Sequence, residues 1–289
     1  MTSVPIPPAT SPALERLRAS LTAGFASGPL ALPVLPMVAS RVMTLANNPD
    51  ADVADLSELI HQDQALASNV LRIANSAAYR AGEAIVSLRQ AVMRLGLAVL
   101  SEIAMAACLH SDTFNTPGFD ATRKRLLLHA FIAGGFAREL ARQKRRNVEV
   151  MFLCGLLHSI GRPVVLHLLC SLRRARPLPL SETEASALMS EFHHRAAAAI
   201  TVAWQLPQQV QVAAVHYENP AGAPAFGEET RLTALAAALA DWVVYGRPAD
   251  ENGAREFPAW AELNFYPDEV DAVLERRAAL EEAGAAFGT

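Results

Sequence analysis

The chain has 289 residues, of which 52% are hydrophobic and 6% aromatic, and its formal net charge is −4 at pH 7. So small a charge excludes a global electrostatic field that would hold the protein on nucleic acid or on an anionic membrane. The apolar content excludes a disordered chain and allows one large domain or two small ones. Alanine and leucine dominate the composition, which favours helices.

The three cysteines, Cys108, Cys154 and Cys170, lie among apolar residues and form no C-x-x-C pair. This spacing supports neither a zinc knuckle nor a disulfide framework, so we expect reduced thiols in a cytoplasmic protein. The N-terminal residues lack the basic and apolar regions of a signal peptide, and none is predicted. No uninterrupted apolar run approaches the roughly 20 residues that a membrane span needs, so no membrane association is expected.

The first third of the chain has apolar residues at helical spacing, separated by short polar or proline-containing breaks. After a loose tail, residues 14–25 predict an amphipathic helix and residues 38–45 a second one. Asp52 and Asp63 are residues of the N-cap type and predict two further helices. The next helix is expected to stop at Gly96, and a nearly continuous apolar helix follows it. Short helices with short connections predict a helical bundle.

The rest of the chain continues this pattern. Residues 121–142 predict a long helix, and residues 148–159 predict a short apolar one that ends at a glycine and a proline. The capping-box sequence at residues 181–184 predicts the start of another helix. Further helices are predicted over 232–245 and 268–283. No segment alternates as a half-buried strand would, so the predicted fold is an all-α multi-helix bundle.

Five polar residues lie on otherwise apolar predicted helices: His129, His158, His193, His216 and Asp241. Facing helices of a bundle can bring such side chains together in one pocket. Imidazole and carboxylate groups are ligands for divalent transition metals, and a metal-bound water can attack a phosphate ester. A buried histidine is more often a hydrogen-bonded core residue, so a polar cluster without chemistry is the competing interpretation. That interpretation is applied outright to three other histidines: His110, His167 and His194.

Several motifs follow one another along about two thirds of the chain. Residues 32–36 read LPVLP, residues 71–79 read LRIANSAAY, residues 151–163 read MFLCGLLHSIGRP, and residues 204–207 read WQLP. Together they resemble the HDOD domain, the HD-related output domain of bacterial signalling proteins. The third motif is similar to the G-L-L-H-D-I-G signature of the wider HD superfamily of metal-dependent phosphohydrolases. The motif residues interpreted as structural are Asn75, Ser76, Leu95, Gly96, Trp204 and Pro207.

The resemblance implies an N-terminal HDOD helical part packed on a degenerate HD-like helical part. We expect a tail and helix over residues 1–27, an HDOD domain over 28–225, and a C-terminal helical extension over 226–289. Within the HDOD domain, residues 28–114 would form the N-terminal part and residues 115–225 the HD-like part.

In catalytic HD proteins a first histidine, a His-Asp pair and a distal aspartate hold the metal, and two-metal variants add histidines. The positions that the resemblance assigns to this site are His129, His158, Ser159, His193, His216 and Asp241. Ser159 replaces the aspartate of the signature, and a neutral hydroxyl cannot substitute for an anionic carboxylate as a ligand or bridge. We therefore expect no bound metal, no cofactor and no catalytic residue. A residual site of two histidines and one aspartate stays open, because three protein ligands can suffice.

The resemblance implies a non-catalytic regulatory protein that acts through protein–protein contacts in a cyclic-di-GMP-linked, motility, virulence or stress pathway. The expected partners are other signalling proteins, with a nucleotide second messenger or a second copy of the chain as further candidates. No aromatic residues interleave with the basic ones, so no direct nucleic-acid partner is expected. The alternatives are a metal-dependent nucleotide phosphohydrolase and a nucleotide sensor that does not hydrolyse its ligand.

A basic cluster follows the long predicted helix and consists of Arg142, Lys144, Arg145 and Arg146. Positive charge at a helix C-terminus complements the helix dipole, which makes a solvated helix end the simpler interpretation. The functional interpretation is a patch for an anionic nucleotide or an acidic partner.

Overall fold

The computed structural model consists of helices joined by short connections, and it has no β-strand in the part of the chain that it describes. The described residues are 11–27, 30–46, 58–60, 63–76, 78–79, 82–110 and 113–288. The expected all-α multi-helix bundle is confirmed. The helix start predicted at Asp52 lies outside the described residues.

The described residues of the N-terminal part include the helices α1 (Pro12–Ser27), α2 (Met37–Ala46), α3 (Gln64–Ala74) and α4 (Leu88–His110), and residues 58–60 are also helical. The Asp63 carboxylate accepts a hydrogen bond from the Leu66 backbone N–H and so caps α3 as predicted. The helix end predicted at Gly96 is a kink inside α4, where Gly96 takes a φ of 81° that favours glycine. Leu95, just before the kink, is partly buried against the core.

Asn75 and Ser76, from the motif at residues 71–79, hold the connection between α3 and α4. The Asn75 side-chain amide donates to the carbonyls of Leu71 (2.9 Å) and Ile85 (2.8 Å), and its oxygen accepts from the Ile85 N–H (2.7 Å). The Ser76 hydroxyl donates to the Ile73 carbonyl at 2.7 Å. Asn75 therefore ties the end of α3 to the segment that enters α4, which is the structural role predicted for this motif.

Five helices lie in the region that the resemblance assigns to an HD-like part: α5 (Asp120–Gln143), α6 (Val148–Leu157), α7 (Gly161–Ala175), α8 (Glu182–Ala203) and α9 (Gln208–His216). Two glycines allow close helix contacts. A Cβ on Gly155 of α6 would lie 2.5 Å from the Ala133 carbonyl oxygen. A Cβ on Gly161 would lie 1.9 Å from the His193 carbonyl oxygen. Gly161 and Pro163 were expected to end the helix that became α6, but they lie in the first turn of α7. Proline is tolerated there because backbone N–H groups in the first turn have no partner within the helix.

The C-terminal segment contains α10 (Gly227–Tyr245), α11 (Glu251–Arg255), α12 (Ala259–Glu262), α13 (Pro267–Leu274) and α14 (Arg277–Gly288). The single helix predicted over 268–283 is wrong, because the chain turns between α13 and α14. The turn brings α14 onto α5, where a Cβ on Gly135 would lie 2.3 Å from Leu280. Helix α10 packs against α5 and α6 and so forms a wall of the HD-like part.

Buried polar contacts join the N-terminal part to the HD-like part. Trp204, at the end of α8, donates its indole N–H to the Pro33 carbonyl at 2.9 Å. Pro207, three residues later, is the N-cap residue of α9. Arg138 on α5 donates to the Glu102 carboxylate on α4 at 3.1 Å, and both side chains are buried. These contacts fix α5 and α8 against α4 and the LPVLP segment.

Two helical stretches are long and apolar enough to cross a membrane by length and composition: Leu88–Leu109 and Val148–Ala175. Neither stretch is an uninterrupted apolar run, because Arg94 and Glu102 lie within the first and Arg162 within the second. Most of each stretch is buried inside the protein, and the second is interrupted by a turn after Leu157. Helices that are apolar on most sides are typical of a buried bundle core, which is where both stretches lie.

Candidate functional site

His158 lies in the turn between α6 and α7 and is fully buried. Its Nδ1 lies 2.6 Å from the Gly155 carbonyl oxygen, so Nδ1 carries the proton and Nε2 presents a lone pair. Nε2 has no hydrogen-bond partner among the described residues. Burial, and next the proximity of His129, lowers the pKa of His158 to about 3. The ring is therefore neutral at physiological pH.

His129 on α5 and Asp241 on α10 form a pair, with 2.9 Å between Nε2 and Oδ1. The centre of the His129 ring lies 5.2 Å from that of His158 and 5.6 Å from that of Tyr245. The Asp241 side chain is half-exposed, so this carboxylate is both paired and solvated. We call His129, His158, Ser159 and Asp241 the inner cluster.

The inner cluster borders a cavity of about 670 Å³, a volume in the usual range of small-molecule sites. Ser159, His129 and Asp241 line the cavity, and the buried His158 lies behind its wall. Further charged residues of both signs line it: Arg125, Arg162, Arg247, Glu182 and Glu218. The arginines of the cavity can donate hydrogen bonds to an anionic ligand, and the glutamates repel anions that do not fit between them.

A second group of titratable side chains lies where α8 meets the end of α9. Nε2 of His193 and Nε2 of His194 lie 3.5 Å and 3.2 Å from Oε2 of Glu218. The ligand atoms of these three residues all lie within 4.8 Å of one another. Oε1 of Glu218 accepts hydrogen bonds from the Tyr217 hydroxyl at 2.8 Å and from Arg162 at 3.0 Å. We call His193, His194 and Glu218 the outer cluster.

The charges in the outer cluster follow from its surroundings. Burial, and next the Arg162 charge, lowers the pKa of His193 to about 4. Burial alone would raise the pKa of Glu218, but the Tyr217 hydrogen bond and the charges of His193 and Arg162 lower it overall. At neutral pH a neutral His193 imidazole therefore faces an ionised carboxylate.

The structure does not bring all the predicted site residues together. His216 is the last residue of α9, is only half-buried, and does not line the cavity. The next residue, Tyr217, faces inward, and its ring centre lies 4.7 Å from that of His158 and 6.5 Å from that of His193. Tyr217 therefore contacts the inner and the outer cluster, whereas no side-chain hydrogen bond, ion pair or ring contact joins His216 to either cluster among the described residues.

Sequence reasoning missed Arg162 and Glu218 and treated His194 as an ordinary structural histidine. Arg162 directly follows the HD-like motif turn, and Glu218 directly follows the end of α9. Both are charged residues next to the end of an apolar helix, and that position could have marked them as candidates in the sequence. For His167 the structural interpretation is correct, because its Nδ1 accepts a hydrogen bond from the Asn115 N–H at 3.1 Å.

The basic cluster is engaged in contacts within the chain. Arg142 and Arg146 pair with acids, Lys144 donates to a backbone carbonyl, and Arg145 is exposed. The respective partners are Glu139, Glu228 and Asn264. These contacts favour the helix-end interpretation, and an anion or partner patch at this cluster stays a prediction.

A family model, that of the HDOD domain, matches residues 32–220. The chain belongs to the HDOD domain family. The matched HDOD region contains the outer cluster and three of the four inner-cluster residues, because Asp241 lies beyond it. Helix α10, outside the matched HDOD region, therefore supplies the carboxylate that pairs with His129.

Relatives of this HDOD protein include an uncharacterized protein of Treponema pallidum (strain Nichols), 29% identical over 189 residues. The match covers 62% of this chain and 36% of that protein, so the chain spans little more than a third of the relative's length.

Two solved structures resemble this chain throughout. An HDOD domain protein of unknown function from Geobacter sulfurreducens has a TM-score of 0.69 at 22% identity and covers 94% of this chain and 98% of its own. A protein of Shewanella amazonensis SB2B, provisionally named a metal-dependent phosphohydrolase, has a TM-score of 0.72 at 20% identity. That match covers 95% of this chain and 100% of the Shewanella chain. At these identities the likeness establishes a shared fold.

Proposed function

We propose that this HDOD protein is a non-hydrolytic regulatory protein of bacterial signalling, which acts in the cytoplasm through contacts with other signalling proteins. The observation that carries the proposal is Ser159, which stands in the inner cluster where the HD signature has an aspartate. A serine hydroxyl is neutral and does not bridge two cations. The inner cluster therefore lacks the carboxylate of the His-Asp pair, and Asp241 is the one acid that it retains.

The donors that remain in the inner cluster support the same proposal. His129 and Asp241 hydrogen-bond each other, so each satisfies the other within the protein. His158 has one lone pair without a partner among the described residues, and this nitrogen is fully buried. A closed pair and one neutral donor do not fit the open, multidentate site that a hydrolytic metal needs.

The partner classes in this proposal come from the family and not from a particular contact. Other signalling proteins are the first class, in a cyclic-di-GMP-linked, motility, virulence or stress pathway. A second copy of the chain is a further candidate.

Hydrolysis is tested with the full chain loaded with Mn²⁺ or Fe²⁺ and given cyclic di-GMP or bis(p-nitrophenyl) phosphate. We expect the wild-type protein and the His158→Asn variant to hydrolyse these substrates no faster than a reaction without protein. Turnover in the wild type that His158→Asn abolishes would overturn the proposal. It would make a metal-dependent nucleotide phosphohydrolase the better description.

A second proposal is that the cavity binds an anionic nucleotide without hydrolysing it. The specific observation is that Arg125, Arg162 and Arg247 line one cavity of about 670 Å³. Guanidinium groups match phosphate oxygens in charge and geometry, and binding needs no activated water. Loss of the signature aspartate would thus remove hydrolysis while leaving recognition in place.

Nucleotide binding is tested by titration calorimetry with cyclic dinucleotides and guanosine polyphosphates. We expect a heat of binding that Arg125→Gln and Arg247→Gln each reduce. Arg16→Gln, which removes an exposed arginine of α1, is the control and should leave binding unchanged. No heat with any of these nucleotides would end the second proposal.

A further inference from the structure

The outer cluster has a geometry that the proposed function does not use. His193 and His194 are neighbours on α8, their ring centres are 3.8 Å apart, and both present Nε2 to one carboxylate oxygen of Glu218. The His193 ring is buried, whereas the side chains of His194 and Glu218 are each 41% exposed. An ion from solvent can therefore reach the group.

The distances in the outer cluster match those of a metal coordination shell. A tetrahedral ion with bonds of about 2.0–2.1 Å spaces its ligand atoms about 3.3 Å apart. The two distances from Nε2 to Oε2 are 3.5 Å and 3.2 Å, on either side of that value. All three ligand atoms lie within 4.8 Å of one another, so one ion could contact them with small side-chain adjustments.

The other carboxylate oxygen of Glu218 is held in place by neighbouring residues. Oε1 accepts hydrogen bonds from the Tyr217 hydroxyl and from Arg162, which leaves Oε2 directed at the two histidines. Ligating carboxylates in metal sites are oriented by such outer contacts. The close approach of α7 to α8 at Gly161 fixes the His193 backbone next to the helix that carries Arg162. The positions of the donors are therefore set before any ion binds.

We propose that His193, His194 and Glu218 bind one divalent transition-metal ion of the zinc class through Nε2, Nε2 and Oε2. Two imidazoles and one carboxylate form a donor set that zinc accepts, with a fourth position for water or a ligand oxygen. Hard cations such as Mg²⁺ and Ca²⁺ prefer all-oxygen shells and are disfavoured here.

The zinc proposal is independent of hydrolysis at the inner cluster. Of its three donors, only His193 stands at a position that the family resemblance assigns to an HD metal. Glu218 lines the cavity, so the ion would stand at the cavity wall.

Equilibrium dialysis of the untagged full chain against Zn²⁺, followed by elemental analysis, tests the site. We expect one Zn²⁺ per chain, with affinity reduced at least about tenfold in His194→Ala and in Glu218→Gln. Both substitutions are at half-exposed side chains, so the fold should persist, and circular dichroism checks this. Co²⁺ in place of Zn²⁺ should give visible absorption that the same two variants lose.

Two matched variants control for other histidines. His216→Ala removes a neighbouring half-buried histidine, and His158→Asn removes the inner-cluster donor, and both should retain one Zn²⁺ per chain. Less than one Zn²⁺ per wild-type chain, or unchanged binding in both ligand variants, would overturn the proposal. So would loss of zinc in His158→Asn alone, which would assign the metal to the inner cluster. Zinc in the outer cluster without phosphodiesterase turnover leaves the proposed function intact.

Discussion

The inner and the outer cluster use the same residue types near one cavity, but their polar atoms are organised differently. In the inner cluster these atoms bond within the protein, His129 to Asp241 and His158 to a backbone carbonyl. In the outer cluster two imidazoles face one oxygen of Glu218, whose second oxygen is already held. The inner cluster therefore resembles a polar core in which one buried nitrogen, Nε2 of His158, has no partner among the described residues, and the outer cluster resembles a set of donors around an ion.

The family motif and the proposed metal-binding geometry therefore lie in different places. The motif turn keeps His158 but has Ser159 in place of the acid, whereas the outer cluster has an acid, Glu218, that no motif predicts. An ionised carboxylate both attracts a divalent cation and completes an imidazole donor set. On the zinc proposal, the free carboxylate oxygen of Glu218 marks the end of the cavity that suits a metal, because Asp241 at the other end is paired with His129.

The buried neutral His158 predicts the largest effect, a loss of stability at low pH. Its pKa is about 3 in the folded state and about 6.5 in an unfolded chain. Between these two pH values the unfolded state binds one proton more than the folded state. Its contribution to stability is full above pH 6.5 and is lost as the pH falls. From pH 6.5 to 4 we expect the free energy of unfolding to fall about 3 kcal/mol further in the wild type than in His158→Asn.

Urea unfolding of the two proteins at a series of pH values measures this difference. Other titrating groups contribute to both curves, so their effect cancels in the comparison. Parallel pH profiles would contradict a buried neutral imidazole in the inner cluster.

The close contact between α7 and α8 predicts the next effect, because these helices carry Arg162 and His193. Gly161→Ala would place a methyl group 1.9 Å from the His193 carbonyl oxygen, and backbone must move to relieve the contact. We expect a loss of about 2–3 kcal/mol in the free energy of unfolding, measured by urea denaturation. Zinc affinity should fall in the same variant if the outer cluster depends on this contact.

Gly227→Ala, at the start of α10, is the matched control. A Cβ there would meet only Arg231, at 4.0 Å, so only the higher helix propensity of alanine acts. We expect this variant to be neutral or slightly stabilised. Equal effects of the two glycine substitutions would refute the role of the helix contact.

Ser159→Asp returns the acid of the HD signature to the inner cluster. We expect Mn²⁺ affinity to rise about tenfold, because a carboxylate adds charge next to His129, His158 and Asp241. Mn²⁺ binding followed by electron paramagnetic resonance measures the change, and Ser159→Asn is the uncharged control. If the affinity does not rise, the inner-cluster donors no longer converge on one ion.

Asp241→Asn predicts the smallest effect, because the carboxylate is half-exposed and water screens its pairing with His129. We expect a loss of about 1 kcal/mol in the free energy of unfolding. A double-mutant cycle with His129→Gln isolates the pair, and thermal or urea denaturation supplies the four free energies. A coupling energy of zero would mean that the two residues share a cavity wall without stabilising each other.

Several local features were predictable from the sequence because neighbours along the chain create them. Asp63 caps α3, and Ser181 and Glu184 form the reciprocal capping box that starts α8. Asn75 closes the end of α3 through bonds to residues at most ten positions away. The turn that carries His158 also follows an apolar helix as predicted.

The helical fold, the family and the serine at position 159 in place of the signature aspartate were all predictable from the sequence, since they depend on local spacing and residue identity. Contacts between distant parts of the chain place Tyr217 rather than His216 at the cavity and bring His194 and Glu218 into one cluster. The reason is that helix phase and helix–helix distance set where a side chain points. Both depend on contacts such as Gly161 against the His193 backbone, between residues far apart in the chain.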